Sequence, residues 1–389
     1  MSGISEVPGP GANVAALRKQ RGWSQDRLAF EAGISKSMLG KIERGQRTLT
    51  QGVAASIARA CGLALEEVLG QAPASSEEAL ESLNTAIRRF DIPREPERTA
   101  AGLKQGLAEM VVLRGNADLG QVLAKLPGLV SGAQNHAHAT NTPEAWAMVA
   151  EAYSTVYWLA ARHRWMLLAD LAVTKQKLAA AQADPVTMAI AARDMAGIHL
   201  NHGFFEDGLA VVDQAICQAE RQPAGQWRSY ALGILHLRGM TLAGRLKDKN
   251  TADRHIAGAW RLAEDFNHDV NRLGIHFGPQ NTAVHVVATS GDLNRHQGAI
   301  AIMEDFGDDN PLTLPATRTS PLHMNIARSK LALNDREGAL DELEKAWSLA
   351  PQMARVHPTS QELLRVLTMM HKRSNPRLTR LARKANIKI

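Results

Sequence analysis

WSQDRLAFEAGISKSMLGKIERGQR, residues 23–47, reads as two short helices joined by a tight turn. Ser24 is placed to cap a helix beginning at Gln25, with Leu28 and Ala29 facing inward. Gly33 ends that helix, since glycine accepts the left-handed conformation a tight turn requires. Ile34 then plugs the core, and Ser35 caps a second helix carrying Leu39 and Ile42. Two short helices joined this closely form a helix-turn-helix, whose second helix can enter a DNA major groove.

The rest of the chain sets the context. Its 389 residues suffice for two or three domains with sizeable cores. At 45% hydrophobic and 22% charged, it has the composition of a soluble globular protein. A net charge of +6 favours polyanionic partners. Two distant cysteines, Cys61 and Cys217, exclude a disulfide framework and point to a reducing cytoplasm. The start of the chain lacks the basic and apolar segments of a secretory signal, and no run approaches the length of a membrane span. Residues 1–12 read as a disordered Pro/Gly-rich arm, and QAPASSEE (71–78) opens a linker taken to span residues 71–82.

The pattern SQxxLAxxAGIS…L..IE.G, with a preceding helix (VAALRKQRG) and following ones (QGVAASIARACGL, LEEVL), resembles the XRE, or lambda-repressor-like, family of DNA-binding domains. The resemblance covers roughly Val14 to Leu69 and implies a five-helix DNA-binding domain over residues 13–70. It also implies roles. Gln25 touches a phosphate and braces the reading helix, while Ser35, Lys36 and Ser37 open that helix against base edges. Lys36 is a natural donor to guanine O6/N7, Met38 can meet a thymine methyl, and Lys41 lies one turn further on. Arg44, Gln46 and Arg47 look like phosphate contacts that set register without reading sequence. Glu43 is expected to make an internal hydrogen bond or salt bridge. One such domain offers few base contacts, so specific binding to double-stranded operator DNA implies a homodimer on two half-sites.

Beyond the linker, helical periodicity runs to the C-terminus without convincing strand alternation. HMNIARSKLALNDREGALDELEKAWSLAP, from His323 to Pro351, shows small residues at Ala327, Ala339 and Ala346, with Leu343 between two antiparallel helices. This resembles a tetratricopeptide (TPR) repeat. A weaker copy has Ala196, Gly208, Val212 and Ala215 at the same offsets, and more divergent helical pairs flank both. The expected architecture is therefore all-α, a lambda-repressor-like domain followed by a TPR-like α-solenoid over residues 83–389. Stacked pairs of this kind present an extended concave surface.

A helix-turn-helix followed by such repeats is similar to the RRNPP peptide-sensing regulators. That resemblance implies a short signalling peptide bound in the concave groove, which shifts the dimer between DNA-competent and incompetent arrangements. Asparagine amides can satisfy peptide N–H and C=O groups together, and arginine can hold a carboxylate. Equivalent inward offsets nominate Arg193 and Asn201, Asn281 and His285, and Asn325 and Arg328. Tyr153, Tyr157 and Trp158 could wall one end. The alternative is a protein-docking scaffold without a small ligand.

No cofactor or catalytic site is expected. His136 with His138, and His199 with His202, lack a third ligand at metal-binding spacing, and no GxSxG, HExxH or phosphate-cradling glycine loop is present. From His371 onward the tail carries seven Lys/Arg and no acid. It reads as a solvated capping helix, with a nonspecific DNA contact or a clamp on an acidic neighbour as the functional readings.

Overall fold

Local capping chemistry sets the first elements in the computed structural model, which describes residues 10–47, 49–61, 68, 76–96, 98–306, 311–370 and 375–385. The chain divides into two units, Met1–Glu81 and Ser82–Ile389. The first holds α1 (Pro10–Gln20), α2 (Gln25–Ala32), α3 (Lys36–Glu43) and α4 (Gln51–Cys61). Ser24 Oγ accepts from the Arg27 amide and Ser35 Oγ from the Met38 amide, each at 3.2 Å. Gly33 turns the chain between the helices at φ +65°. Val14, Leu28, Leu39, Ala54 and Ile57 are fully buried in the core between them. Helix α1 starts at Pro10, inside the arm expected over residues 1–12, because proline is well placed in a first helical turn. The helix expected around LEEVL falls outside the described residues, except for Val68, which is buried in this core.

Helix α5 (Ser76–Arg88) occupies much of the expected 71–82 linker. Glu77 and Glu78 favour the positive end of the helix dipole, and Ala79, Leu83, Ala86 and Ile87 make a buried face. Five following pairs are α6 (Ala100–Gly115) with α7 (Leu119–Thr140), α8 (Pro143–His163) with α9 (Met166–Ala180), α10 (Pro185–His202) with α11 (Phe205–Glu220), α12 (Gln226–Leu246) with α13 (Lys249–Ala263), and α14 (Pro279–Asp292) with α15 (His296–Glu304). The best repeat is α16 (Ala316–Ala332) with α17 (Arg336–Leu349), where Ala327, Ala339, Leu343 and Ala346 are fully buried. Short α18 (Pro351–Val356), then α19 (Pro358–Met370) and α20 (Pro376–Ala385), complete the described chain.

The pairs do not leave an open concave face. The first helices α6, α8, α10, α12, α14 and α16 pack in succession, and α16 packs back on α6. Gln352 seals the join by donating to Asp118 Oδ1 and accepting from the Gly120 amide, both at 3.2 Å. Ala117, Ala350 and Met353 bury a small apolar contact there. The helical layer therefore closes into a ring.

Two short strands, β1 (Val270–Arg272) and β2 (Ile275–Phe277), interrupt this helical fold. They pair antiparallel around Leu273 and Gly274, at φ +54° and +74°, which gives the hairpin the backbone sign of a type I′ turn. The run is too short to show strand alternation in the sequence. Tyr230 donates its hydroxyl to the Ile275 carbonyl at 2.8 Å and pins the hairpin to α12. Phe277 lies so close to Gly233 that a Cβ there would stand 2.1 Å from the ring.

At the tail, Arg377 of α20 pairs with Asp341 at 2.5 Å and Glu344 at 2.7 Å on α17, while Leu378, Leu381 and Ala382 are buried. The basic helix thus caps the unit by clamping an acidic neighbour.

His236 on α12 and His255 on α13 meet Nδ1 to Nδ1 at 3.0 Å, and each ring fits over a glycine, Gly258 and Gly239 respectively. Burial pushes both down to about 4, aided for His236 by the His255 charge and for His255 by the Arg254 charge. A folded pKa below the unfolded one gives stability that is complete above about pH 6.5 and lost as pH falls towards 4. Urea-unfolding midpoints measured from pH 7 to pH 4 should therefore fall less steeply in a H236N/H255N double variant than in the parent. Equal slopes would show that the pair does not titrate this way.

Candidate functional site

In the N-terminal unit, Ser35, Lys36, Ser37, Lys41, Arg44, Gln46 and Arg47 are exposed and Met38 is half-buried. They sit on or directly beyond α3. Ser35 spends its hydroxyl on its own helix. Arg44 Nε donates to Gln46 Oε1 at 3.1 Å, which aligns two of the residues expected at phosphates. Lys36 Nζ lies 2.7 Å from Asp26 Oδ2, but the two side chains are 60% and 66% exposed. A pair in that environment contributes little, so the ammonium can exchange Asp26 for a base acceptor at small cost.

Behind this face, Arg18 grips Glu43 with two hydrogen bonds, of 2.7 and 3.0 Å, and Gln25 Nε2 adds a third at 2.7 Å. Burial alone would raise the Glu43 carboxyl, but the Arg18 and Gln25 hydrogen bonds outweigh it and hold the group below its usual range. Gln25 therefore braces the reading helix through Glu43. Replacing Lys36 by alanine should cost about 1–3 kcal/mol at a specific operator and relax preference at one base position. Equal losses on operator and random duplex, measured by fluorescence anisotropy, would make Lys36 a phosphate contact only.

The helical unit holds a partly open pocket of about 340 Å³. Each of the six ring helices sends one basic side chain to its wall: Arg114 from α6, Arg162 from α8, Arg193 from α10, Arg238 from α12, His285 from α14 and Arg318 from α16. Arg164 joins them, and Asp194 is the one acid on the wall. Asp194 is already engaged, by Arg193 at 2.6 Å, Ser154 at 2.7 Å and Gln176 at 3.1 Å. Arg114 donates to Thr155 Oγ1 at 3.1 Å and to the Leu273 carbonyl at 3.2 Å, which ties the hairpin to the site. Arg162 donates to the Trp158 carbonyl at 2.8 Å and lies 4.1 Å over its ring.

Arg238 and Arg318 differ from these. Neither makes a hydrogen bond or ion pair with protein among the described residues, and the Nε of each is buried without a partner. Burial, and then the charges of Arg193, Arg114 and Arg238, push Arg318 down to about 9. Burial pushes Arg114 down to about 10, with Asp194 and Glu151 opposing it. Arg114 and Arg318 therefore keep their charge at neutral pH. Burial and the surrounding arginines hold His285 well below its ordinary value, so it is neutral there.

Four residues nominated from the sequence, Arg193, Asn201, His285 and Asn325, line this one cavity, with Tyr157 and Trp158. The amides of Asn201 and Asn325 donate to carbonyls of their own helices, Gly197 at 2.9 Å and Pro321 at 3.0 Å. Asn281 does not reach the wall; it donates to the His276 carbonyl at 2.7 Å and takes Asp269 on its backbone amide, securing the end of the hairpin. Arg328 also lies elsewhere, strapping α16 to α14 through Asp292 at 2.7 Å and the Ala288 carbonyl at 3.0 Å. Tyr153 is a core residue that accepts a hydrogen bond from Gln134 and packs with its ring tilted against Phe90. Sequence reasoning missed Arg114, Arg162, Arg238 and Arg318; each lies on the first helix of a pair, but among other basic residues of the same helices, so no sequence signal singles them out.

Residues 14–68 match the helix-turn-helix family HTH_3. The HTH-type transcriptional regulator SutR of Escherichia coli (strain K12) is 59% identical over 34 residues, 9% of this chain and 19% of that protein. The chain thus aligns with about a fifth of that relative's length. Among solved structures, Bacillus thuringiensis PlcR in complex with the peptide PapR7 and DNA is 12% identical, covering 91% of this chain and 98% of its own, at a TM-score of 0.35. The PrgX/iCF10 complex is 10% identical, covering 87% and 96%, at 0.36. Residues 14–68 of the N-terminal unit therefore form a helix-turn-helix domain. No helix among the described residues is long and apolar enough to cross a membrane.

Proposed function

We propose that this chain is a transcriptional regulator that binds double-stranded operator DNA as a homodimer and responds to a short anionic peptide held in the cavity of its helical unit. The observation that carries the ligand reading is the pair Arg238 and Arg318, which line this pocket without a hydrogen-bond or ion-pair partner among the described residues. A buried guanidinium in that state is costly, and a ligand carboxylate relieves it with directional hydrogen bonds. Trp158, Met353 and Val356 add apolar wall for side chains, and Asn201 and Asn325 offer amide oxygens for backbone N–H groups. Dimer formation draws support from Leu167, Leu171 and Leu178, exposed at 87%, 39% and 50%, whose spacing puts them on one side of α9.

The test takes an operator selected from random duplex and measures its affinity by anisotropy with short synthetic peptides encoded beside the gene. A responding peptide should change operator affinity by about 5–150-fold, the usual range for coupled sites. If no peptide alters the affinity, the sensing half of the proposal is wrong.

A further inference from the structure

The charge on the cavity wall goes beyond what a single carboxylate can neutralise. Five arginines, Arg114, Arg162, Arg193, Arg238 and Arg318, with the exposed Arg164 beside them, line the pocket with one acid. That acid, Asp194, is saturated by Arg193, Ser154 and Gln176. Arginine does not shed its proton to escape burial as lysine does, so the excess charge persists. The pocket is partly open, so water solvates some of it, but the Nε of Arg114, Arg162, Arg238 and Arg318 is buried without a partner, and an unsatisfied donor on a charged group is costly. The volume, about 340 Å³, lies at the small end of ligand pockets. A long extended chain does not fit inside it.

We propose that the cavity takes a compact ligand carrying at least two negative charges, anchored at one end by Arg238 and Arg318. The shared chemistry is a pair of anionic oxygens clusters for planar guanidinium forks, supplied either by a phosphoryl group or by adjacent carboxylates on an acidic peptide. This deepens the reading of the cavity as the ligand site and rests on it. The number of charges and the anchoring pair are new to it. Trp158, packed under Arg162, gives the site an intrinsic optical reporter.

Calorimetry and tryptophan fluorescence on the full chain test the idea with pyrophosphate, the dipeptide Glu-Glu and acetate at matched ionic strength. At least one of the first two should bind saturably at one site per chain, and acetate should not. Preference for pyrophosphate assigns the phosphoryl source, and preference for Glu-Glu the peptide source. If neither exceeds acetate, the proposal is overturned. R318Q should weaken the binding by about 10–100-fold, the value of a hydrogen bond to a charged group. It should also leave the melting temperature of the unliganded protein unchanged or raised, because it removes a charge that no protein group pairs and a buried, unsatisfied Nε. R238Q reads the same two quantities should R318Q fail to fold. Lowered melting with undiminished binding would make these arginines structural and overturn the assignment. Equal weakening in R254Q, an exposed site away from the cavity, would mean general surface binding and do the same.

The two readings fail separately. A polyanion that binds by calorimetry without altering operator affinity sinks only the regulatory proposal. An operator response to a peptide bearing a single carboxylate, with no binding of pyrophosphate or Glu-Glu, sinks only this one.

Discussion

Arg18→Ala should destabilise the N-terminal unit by about 3–5 kcal/mol, because it strands a buried carboxylate. The Arg18 and Glu43 side chains are 12% and 5% exposed, and the guanidinium meets both carboxylate oxygens. With Arg18 gone, Gln25 alone remains to satisfy Glu43, and burial would then drive the carboxyl up. The parent pair holds the folded carboxyl below its unfolded value, so its contribution is present above that unfolded value and declines as pH falls through the folded one. The variant should accordingly lose most at neutral pH and least in acid. The measurement is urea unfolding of the full chain, followed by amide exchange in α3. R18A/E43Q should recover much of the loss, since a neutral amide costs less to bury than a lone charge. A loss of about 1 kcal/mol or less, the worth of an exposed pair, would sink the account. Operator affinity should fall with stability, because Glu43 fixes Gln25 and the end of the reading helix together.

The reason this region could be read in advance is that its determinants are local. Ser24, Gly33 and Ser35 act on amides and dihedrals within three residues of themselves, so sequence order reports them directly. Even the internal role of Glu43 follows from its place at the end of a helix whose core face is already assigned. Asp26 beside Lys36 was not foreseeable, since it depends on the angle between two helices.

The helical unit divides in the same way. Small residues such as Ala327 and Ala339 mark where helices approach, and they are buried where the spacing put them. The cavity was only partly legible. Equivalent offsets found Arg193, Asn201, His285 and Asn325, but the rule fails for Asn281 and Arg328 because the hairpin and the last turn of α14 supply nearer partners. A lone arginine on a helix ordinarily reads as a solvated charge. What turns Arg114, Arg162, Arg238 and Arg318 inward is closure of α16 on α6, a contact between distant parts of the chain that periodicity does not encode. The two-residue turn at Leu273 and Gly274 escaped for a different reason, because leucine gives no hint of a positive φ.

That closure also sets the reach of Leu343→Ala. Leu343 is fully buried among Met324, Ala327, Leu340, Leu364, Leu367 and Leu378, so truncation should cost about 2–5 kcal/mol, with the higher end applying if the pocket cannot collapse. Leu343→Met, which conserves volume, should cost less than about 1.5 kcal/mol. In an open solenoid each repeat touches only its neighbours, and faster amide exchange would stay within α14 to α20. Here α16 also packs on α6, and Gln352 bonds across the join. Loosening α16 should therefore speed exchange at the C-terminal end of α6 as well, where Gly115 faces Pro315, while the amides of α9 and α11, remote from the join, hold their rates. Exchange confined to the C-terminal helices would mean that the ring is not mechanically closed. The cavity arginines would then be held by their own helices rather than by the circle those helices make.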